Sequence, residues 1–194
     1  MLGPLAVSAL GLLLERPMHP YEMVQLLLAR SEDRVVKVRP GSMYHAIDRL
    51  HAEGLVRAVG TDRAGNRPER TTYEITSAGI GAMQDWVRAN LRDPVNEYPR
   101  FPLALGEAHN LPGAEVAALL QDRLSVLRDE ARYLAEAEAA VTGKGLAERF
   151  WIDLPYASTL LAAEIDWLER LTARIADGSL AWPDPAPHPS IGDS

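Results

Sequence analysis

Two short alternating runs in the first half of the chain most constrain what it can fold into. LVRAVG at residues 55–60 and TTYEIT at residues 71–76 each alternate apolar and polar side chains, which is the period of half-buried strands. The ten residues between them, TDRAGNRPER, are polar or turn-forming. This pattern predicts a β-hairpin with a long, exposed loop.

Three helical segments precede the hairpin. Apolar residues at helical spacing predict helices at Pro4–Glu15, at Tyr21–Ala29 and at about Ser42–Glu53, and Gly54 suits the position that follows the third helix. The connector before the third helix leaves room for a short strand at Val35–Val38. Three helices followed by a hairpin are the element order of a helix-turn-helix with a β-wing, so a winged helix is predicted.

The second half of the chain changes character. SAGIGAMQDWVRANLRD predicts a fourth helix with Ser77 as its N-cap, and the Pro-containing DPVNEYPRFP predicts a linker. Two apolar series with three- and four-residue spacing follow, from Val116 to Val141 and from Leu146 to Ile175. They predict helices of roughly 28 and 30 residues, either as an antiparallel pair or as a coiled coil with a partner. The fold class is therefore mainly α with a small β-wing.

The third predicted helix carries chemistry on its outer face. Met43, Ile47 and Leu50 share one apolar face, whereas the other face presents hydroxyl, phenol, imidazole and guanidinium groups. In a winged helix this helix enters the major groove of DNA, where such groups bind phosphates and base edges. The residues concerned are Ser42, Tyr44, His45 and Arg49. The alternative is a solvated face on which Asp48 and Arg49 form local ion pairs.

The hairpin loop is the second predicted contact with DNA. Its arginines lie in an exposed tip that contains Gly and Pro, which suits the minor groove or the flanking backbone. Lys37 and Arg39, just before the third helix, add predicted phosphate contacts. The loop residues predicted to bind DNA are Arg63, Asn66, Arg67 and Arg70. The alternative is a polar loop whose arginines pair with Asp62 and Glu69.

Charge and composition limit the classes of protein that fit. Residues 1–92 carry 12 Lys and Arg against 10 Asp and Glu, whereas the whole chain has a net charge of −7, so acidic residues concentrate in the second half. Without cysteine the chain forms no disulfide, and a reducing cytoplasm is expected. The apolar opening of 14 residues lacks a basic n-region and is too short to span a bilayer, so a soluble, cytoplasmic protein is expected.

No catalytic motif is found in the sequence. It contains no Walker A or GxGxxG pattern and no nucleophile elbow, and its five histidines are scattered without metal-ligand spacing. The sequence therefore predicts that the protein is not an enzyme and holds no cofactor and no metal.

Three stretches in order, HPYEM, GSMYHAIDRLHAEGLV and RTTYEITSAG, resemble the signatures of the PadR family of transcriptional regulators. The resemblance covers residues 1–92, and the segments FPLALGEAHNLPGAEVAALLQDRLSVL and AAEIDWLERL are similar to the family's helical C-terminal region. It implies DNA contacts by Tyr21 in addition to Ser42, Tyr44, Arg49 and the wing arginines, and a homodimer whose C-terminal helices cross between subunits. His45 stands where many members have proline, which leaves the base preference open.

These observations predict a ligand-responsive repressor that binds a palindromic operator as a homodimer. The predicted dimer interface follows the apolar series of the long helices, at Leu120, Leu127, Leu134, Leu161, Ile165 and Leu168. An aromatic or apolar effector is predicted to bind at Trp86, Trp151 and Trp167, for which the alternative is that they anchor the core and the dimer seam. The alternative function is a winged-helix protein-interaction module without specific DNA binding.

Four segments follow from these assignments. A winged-helix DNA-binding domain is predicted at residues 1–92, and a Pro-rich linker with a short helix at residues 93–110. An antiparallel helical dimerisation region is predicted at residues 111–177. The Pro-rich end at residues 178–194 predicts a disordered tail.

Overall fold

The computed structural model describes residues 2–62 and 70–182. It is mostly helical with one two-stranded antiparallel sheet, which confirms the predicted fold class. The chain divides into two compact units, Met1–Glu97 and Tyr98–Ser194.

The first unit has the element order that the sequence predicts. Its elements are α1 (Pro4–Glu15), α2 (Pro20–Ala29), α3 (Pro40–Ala52), β1 (Val56–Asp62), β2 (Arg70–Ile75) and α4 (Ser77–Arg92). The short strand for which Val35–Val38 leaves room is not formed: the segment follows a 3₁₀ turn at Glu32–Arg34 and pairs with no strand among the described residues. Val36 is buried there and Val38 packs against the core at partial burial, whereas Val35 is exposed.

The hairpin is joined to the helices at both ends. β1 and β2 pair from Val56 opposite Ile75 outward, and the main chain of Met18 exchanges two hydrogen bonds of 3.0 Å with that of Tyr73. The connector between α1 and α2 thereby extends the sheet by one bridge. The base of the wing is therefore fixed to the helical core.

α4 begins at a different cap from the one predicted. The N-cap is Thr76 instead of Ser77: its hydroxyl accepts from the Gly79 amide at 3.1 Å and donates to the Gly54 carbonyl at 2.8 Å. The backbones come so close here that a Cβ on Gly79 would lie 2.1 Å from the Leu55 carbonyl oxygen. Thr76 is favoured as the cap because one hydroxyl satisfies groups on both sides of the junction.

The described part of the second unit contains three α-helices, α5 (Arg100–Gly106), α6 (Gly113–Gly143) and α7 (Asp153–Ala176). The second apolar series therefore does not form one helix from Leu146. The backbone passes through a 3₁₀ turn at Glu148–Phe150, and Trp151 takes a non-helical conformation before α7 begins. Pro155 lies in the first turn of α7, where its missing amide hydrogen costs no helical hydrogen bond.

α6 and α7 form an antiparallel pair with their own core. Four side chains in it are buried: Val116, Leu120, Leu124 and Leu168. The segment after α7 returns to the start of α6, where the indole Nε1 of Trp182 donates to the Leu111 carbonyl at 3.0 Å and the ring covers Gly113. Trp182, which the sequence assigns to the tail, thus packs on this core, and residues 183–194 lie outside the described part.

Candidate nucleic-acid interface

α3 is divided into a buried and an exposed face, as its sequence pattern predicts. Met43, Ala46, Ile47 and Leu50 are buried and pack into the core of the first unit. The opposite face is exposed along the whole helix: Ser42, Tyr44, His45, Asp48 and Arg49. Because the apolar face fixes the rotation of the helix, these five side chains point away from the core.

Three cationic side chains surround this face without an ion-pair partner in the part of the chain that the structure describes. Lys37 and Arg39 lie just before α3 and Arg49 lies on its exposed face, and all three are exposed. By contrast, Arg30 at the end of α2 makes a two-pronged ion pair with Glu15 at 2.5 and 2.8 Å. Cations that no carboxylate neutralises retain their capacity to bind phosphate.

Asp48 does not pair with Arg49 among the described residues, contrary to the alternative of a solvated face with local ion pairs. Asp48 lies on the side of α3 that faces the wing, close enough to Tyr73 to affect its phenol. The pKa of Tyr73 is raised mainly by burial and, to a smaller extent, by the negative charge of Asp48. His51 completes this junction, since its ring meets that of Tyr73 edge-on with centroids 5.7 Å apart. Its Nδ1 lies 3.2 Å from the Val56 carbonyl oxygen.

A cleft opens between α3 and the start of α1. It has a volume of about 370 Å³, and its α3 wall is formed by Ser42, His45, Ala46 and Arg49. The first turn of α1, at residues 3–6, forms the other wall. This contribution could not be predicted from the sequence, because α1 shows only an apolar pattern and its packing against α3 is a tertiary contact.

The two predicted DNA-binding tyrosines flank a histidine that the sequence analysis missed. Tyr21 is half exposed in the first turn of α2, and its amide donates to Nδ1 of His19, the N-cap, at 3.1 Å. The His19 ring meets the Tyr44 ring edge-on, with centroids 5.8 Å apart and planes inclined by 73°. The signal was present in HPYEM, where a polar side chain directly precedes a proline that begins a helix.

The wing contributes its base to the described structure. The backbone of Arg70 begins β2 opposite Asp62. The remaining loop residues predicted to bind DNA lie outside the described residues: Arg63, Asn66 and Arg67. Arg57 and Glu74, on neighbouring positions of the two strands, form an ion pair.

The three predicted effector tryptophans do not form one pocket within either unit. Trp86 lies on α4 in the first unit. In the second unit Trp151 precedes α7 and donates from Nε1 to the Leu146 carbonyl at 3.1 Å, whereas Trp167 lies about four turns, or roughly 20 Å, along that helix. Trp151 and Trp167 are therefore too far apart to contact one small molecule within one chain.

The predicted dimer-interface residues pack mainly inside the chain. Leu168 has no exposed surface, Leu120 and Leu134 are buried, and Leu127 and Ile165 pack against the core between α6 and α7. Leu161 is also partly buried. The apolar series that suggested a partner chain is thus covered largely by the chain's own second long helix.

A second apolar face of α7 lies beside the face that packs against α6. Four large side chains at helical spacing are 43% to 67% exposed, and we name them the outer stripe: Ile152, Tyr156, Leu160 and Trp167. α6 exposes Leu119 and Val126, seven residues apart and therefore on one face. A helix whose apolar surface is this wide buries only part of it against a single neighbour.

Within residues 2–62 and 70–182, no group of three or more His, Asp or Glu side chains is placed to hold a metal ion. No helix in the same residues is long and apolar enough to cross a bilayer.

The fold and the exposed face of α3 define a winged-helix protein with a helical second unit. Solved structures of the same fold bear this out. Bacillus subtilis PadR in complex with operator DNA is similar with a TM-score of 0.75 at 19% identity, over 90% of this chain and 99% of that chain. The same protein in complex with p-coumaric acid is similar with a TM-score of 0.73 at 18% identity, over 89% of this chain and 98% of that chain. The virulence activator AphA of Vibrio cholerae is similar with a TM-score of 0.66 at 20% identity, over 90% of this chain and 99% of that chain.

Residues 9–85 match the transcriptional regulator PadR-like family, so the chain carries a PadR-like domain and the resemblance predicted from the sequence is confirmed. Proteins of this family are transcription regulators, not enzymes. No curated protein matches the sequence. α3 is called the recognition helix below, after the role that is proposed for it.

Proposed function

We propose that this protein is a sequence-specific DNA-binding repressor that acts as a homodimer on a palindromic operator. The observation that carries the proposal is the exposed face of the recognition helix, where Ser42, Tyr44, His45 and Arg49 stand beside Lys37 and Arg39 with no ion-pair partner among the described residues. Hydroxyl, phenol and guanidinium groups bind phosphates, and imidazole and guanidinium groups bind base edges. The complex of Bacillus subtilis PadR with operator DNA supports this use of the fold.

The homodimer is proposed to form through the outer stripe. Its four side chains expose an apolar face along most of α7, and exposed apolar faces of this kind mark contacts between proteins. A second copy is the proposed partner because a two-fold axis brings the same stripe from each protomer together. Two protomers present two recognition helices, which matches a palindromic site with half-sites about one turn of DNA apart.

Repression is proposed to follow from occupation of a promoter by the dimer in the cytoplasm. An aromatic or apolar effector is proposed to release it, supported by the p-coumaric acid complex of Bacillus subtilis PadR. Trp86 and Trp151 are the proposed effector contacts that do not belong to the outer stripe. The sign of regulation needs its own test, since the similar AphA is named an activator.

The test begins with selection of duplexes from a random pool by the purified full-length protein. Fluorescence anisotropy with the selected duplex is then measured at two salt concentrations. Enrichment of a two-fold symmetric sequence and a steep fall in affinity with salt are expected, because each neutralised phosphate releases counterions. Transcription from a promoter that carries this sequence is expected to fall when the protein is added and to recover with the effector.

Two results would count against the proposal. A pool that stays random shows that binding is absent or unspecific, which favours the alternative of a protein-interaction module. Affinity that hardly depends on salt points the same way, since an interface built on apolar contacts responds weakly to ionic strength.

A further inference from the structure

His19 occupies a position that usually carries a short polar side chain. Ser, Thr, Asp and Asn are preferred at helix N-caps because their oxygen atoms reach the first free amides. His19 does this with a ring nitrogen: Nδ1 accepts the Tyr21 amide at 3.1 Å, and Pro20 between them has no amide hydrogen to donate. Because Nδ1 accepts here, the ring proton of the neutral imidazole lies on Nε2.

The same ring touches the recognition helix. Its centroid lies 5.8 Å from that of Tyr44 with the planes at 73°, which is an edge-to-face contact between aromatic rings. Tyr44 is 41% exposed, so its ring is partly covered while part of the side chain faces solvent. A serine or asparagine at residue 19 would still cap α2 but would leave the Tyr44 ring without this contact.

We propose that His19 is a positioning residue for DNA binding, which holds the phenol of Tyr44 in the orientation that reaches DNA. The cap fixes the imidazole, and the imidazole restricts the rotation of the Tyr44 side chain. A side chain that is already ordered loses less conformational entropy when it binds. The inference rests on the proposed function, since it concerns the same surface.

The test separates the two roles of the histidine by His19→Asn, which keeps a capping oxygen and removes the ring. The DNA is the duplex selected from the random pool. We expect the variant to melt at nearly the wild-type temperature and to bind this duplex about fivefold more weakly, the size of effect that one edge-to-face contact provides.

A double-mutant cycle shows whether His19 acts through Tyr44. In the Tyr44→Ala background His19→Asn is expected to cause no further loss, because no ring remains to be held. In the Ser42→Ala background the fivefold loss is expected in full, because this substitution leaves the Tyr44 ring in place. A purely structural role of His19 would weaken binding in both backgrounds alike.

His109→Asn is the matched control, since Nδ1 of this histidine also lies within hydrogen-bond distance of a backbone atom, the Gly106 carbonyl at 3.0 Å. It lies in the second unit and is expected to leave DNA binding unchanged. The proposal is overturned if His19→Asn binds as the wild type does, or if its loss persists with Tyr44→Ala. A wild-type protein that enriches no duplex would instead overturn the proposed function, and it is recognised before any variant is made.

Discussion

The recognition helix α3 and the last helix α7 are both amphipathic, but their outer faces differ in kind. α3 turns Met43 and Ile47 into the core and shows polar and cationic groups to solvent. α7 turns Leu168 into its pairing with α6, yet its outer stripe is apolar as well. A helix with one apolar face is complete within its own chain, whereas a helix with two requires a further apolar surface. This difference is why the proposed function places DNA at the first helix and a second protomer at the other.

Leu168→Glu tests the inner face of α7 and is expected to have the largest effect. A carboxylate at this fully buried position has no cationic partner, so the second unit should lose about 3–5 kcal/mol of stability and unfold. Far-UV circular dichroism should show fewer helical residues at room temperature. Leu168→Met, which conserves volume, should stay helical, and a helical Leu168→Glu protein would mean that the core lies elsewhere.

Leu160→Glu tests the outer stripe, where the side chain is 54% exposed. The chain should stay folded, because the charge remains in solvent, but the protomers should separate. Light scattering should report a monomer, and operator affinity should fall by at least about 100-fold, since two linked half-site contacts become independent. Leu146→Glu is the matched control, with similar exposure at a position outside the stripe. If the Leu160→Glu protein is still a dimer, the outer stripe is not the dimer interface.

Arg49→Ala tests the polar face of the recognition helix. Loss of one phosphate or base contact should weaken operator binding by about 10- to 100-fold and leave the melting temperature unchanged. If Arg49 binds a phosphate, the slope of log affinity against log salt should also become shallower by about one for each protomer. Unchanged affinity would contradict the assignment of this face to DNA.

Arg30→Gln provides the contrast with Arg49 and the smallest expected effect. Its hydrogen bond to Glu15 lowers the pKa of that carboxyl below 4.5, so the pair adds stability above this pH and loses it as the pH falls further. Both side chains are more than a third exposed, which limits the contribution to less than about 1 kcal/mol. Thermal melts at pH 7 and pH 3 should differ less in the variant than in the wild type, while operator affinity stays the same. If the variant loses operator affinity, an arginine in an ion pair also contributes to DNA binding. The lack of an ion-pair partner would then not identify the arginines that bind DNA.

The comparison also shows where sequence patterns were sufficient. The period of Met43, Ile47 and Leu50 gave the rotation of α3 correctly, because a helix with a single apolar face has only one orientation that buries it. The alternation in LVRAVG and TTYEIT gave both strands for the same reason. Helix starts were less accurate: α3 begins at Pro40, two residues before the predicted start, and α4 is capped by Thr76.

The apolar series of the long helices is ambiguous for a different reason, and the dimer interface predicted from it stays a prediction. The three- and four-residue spacing of the series that contain Leu120 and Leu168 is the spacing of an interface between chains. A pair of helices that pack together within one chain needs the same spacing. The outer stripe has the period of a helix too, but Ile152 and Tyr156 fall between the members of the series that the sequence analysis followed. The domain bounds, the wing contacts and the effector tryptophans stay predictions.

The sequence by itself determined the elements, the faces of the recognition helix and the family of the first domain. It did so because periodicity fixes angles around a helix or strand axis, and these need no knowledge of distant segments. Only the tertiary structure decided which face of α7 is covered by α6, that the first turn of α1 forms a cleft with Arg49, and that His19 touches Tyr44. Each is a contact between residues far apart in the chain, and its distance depends on how the helices pack.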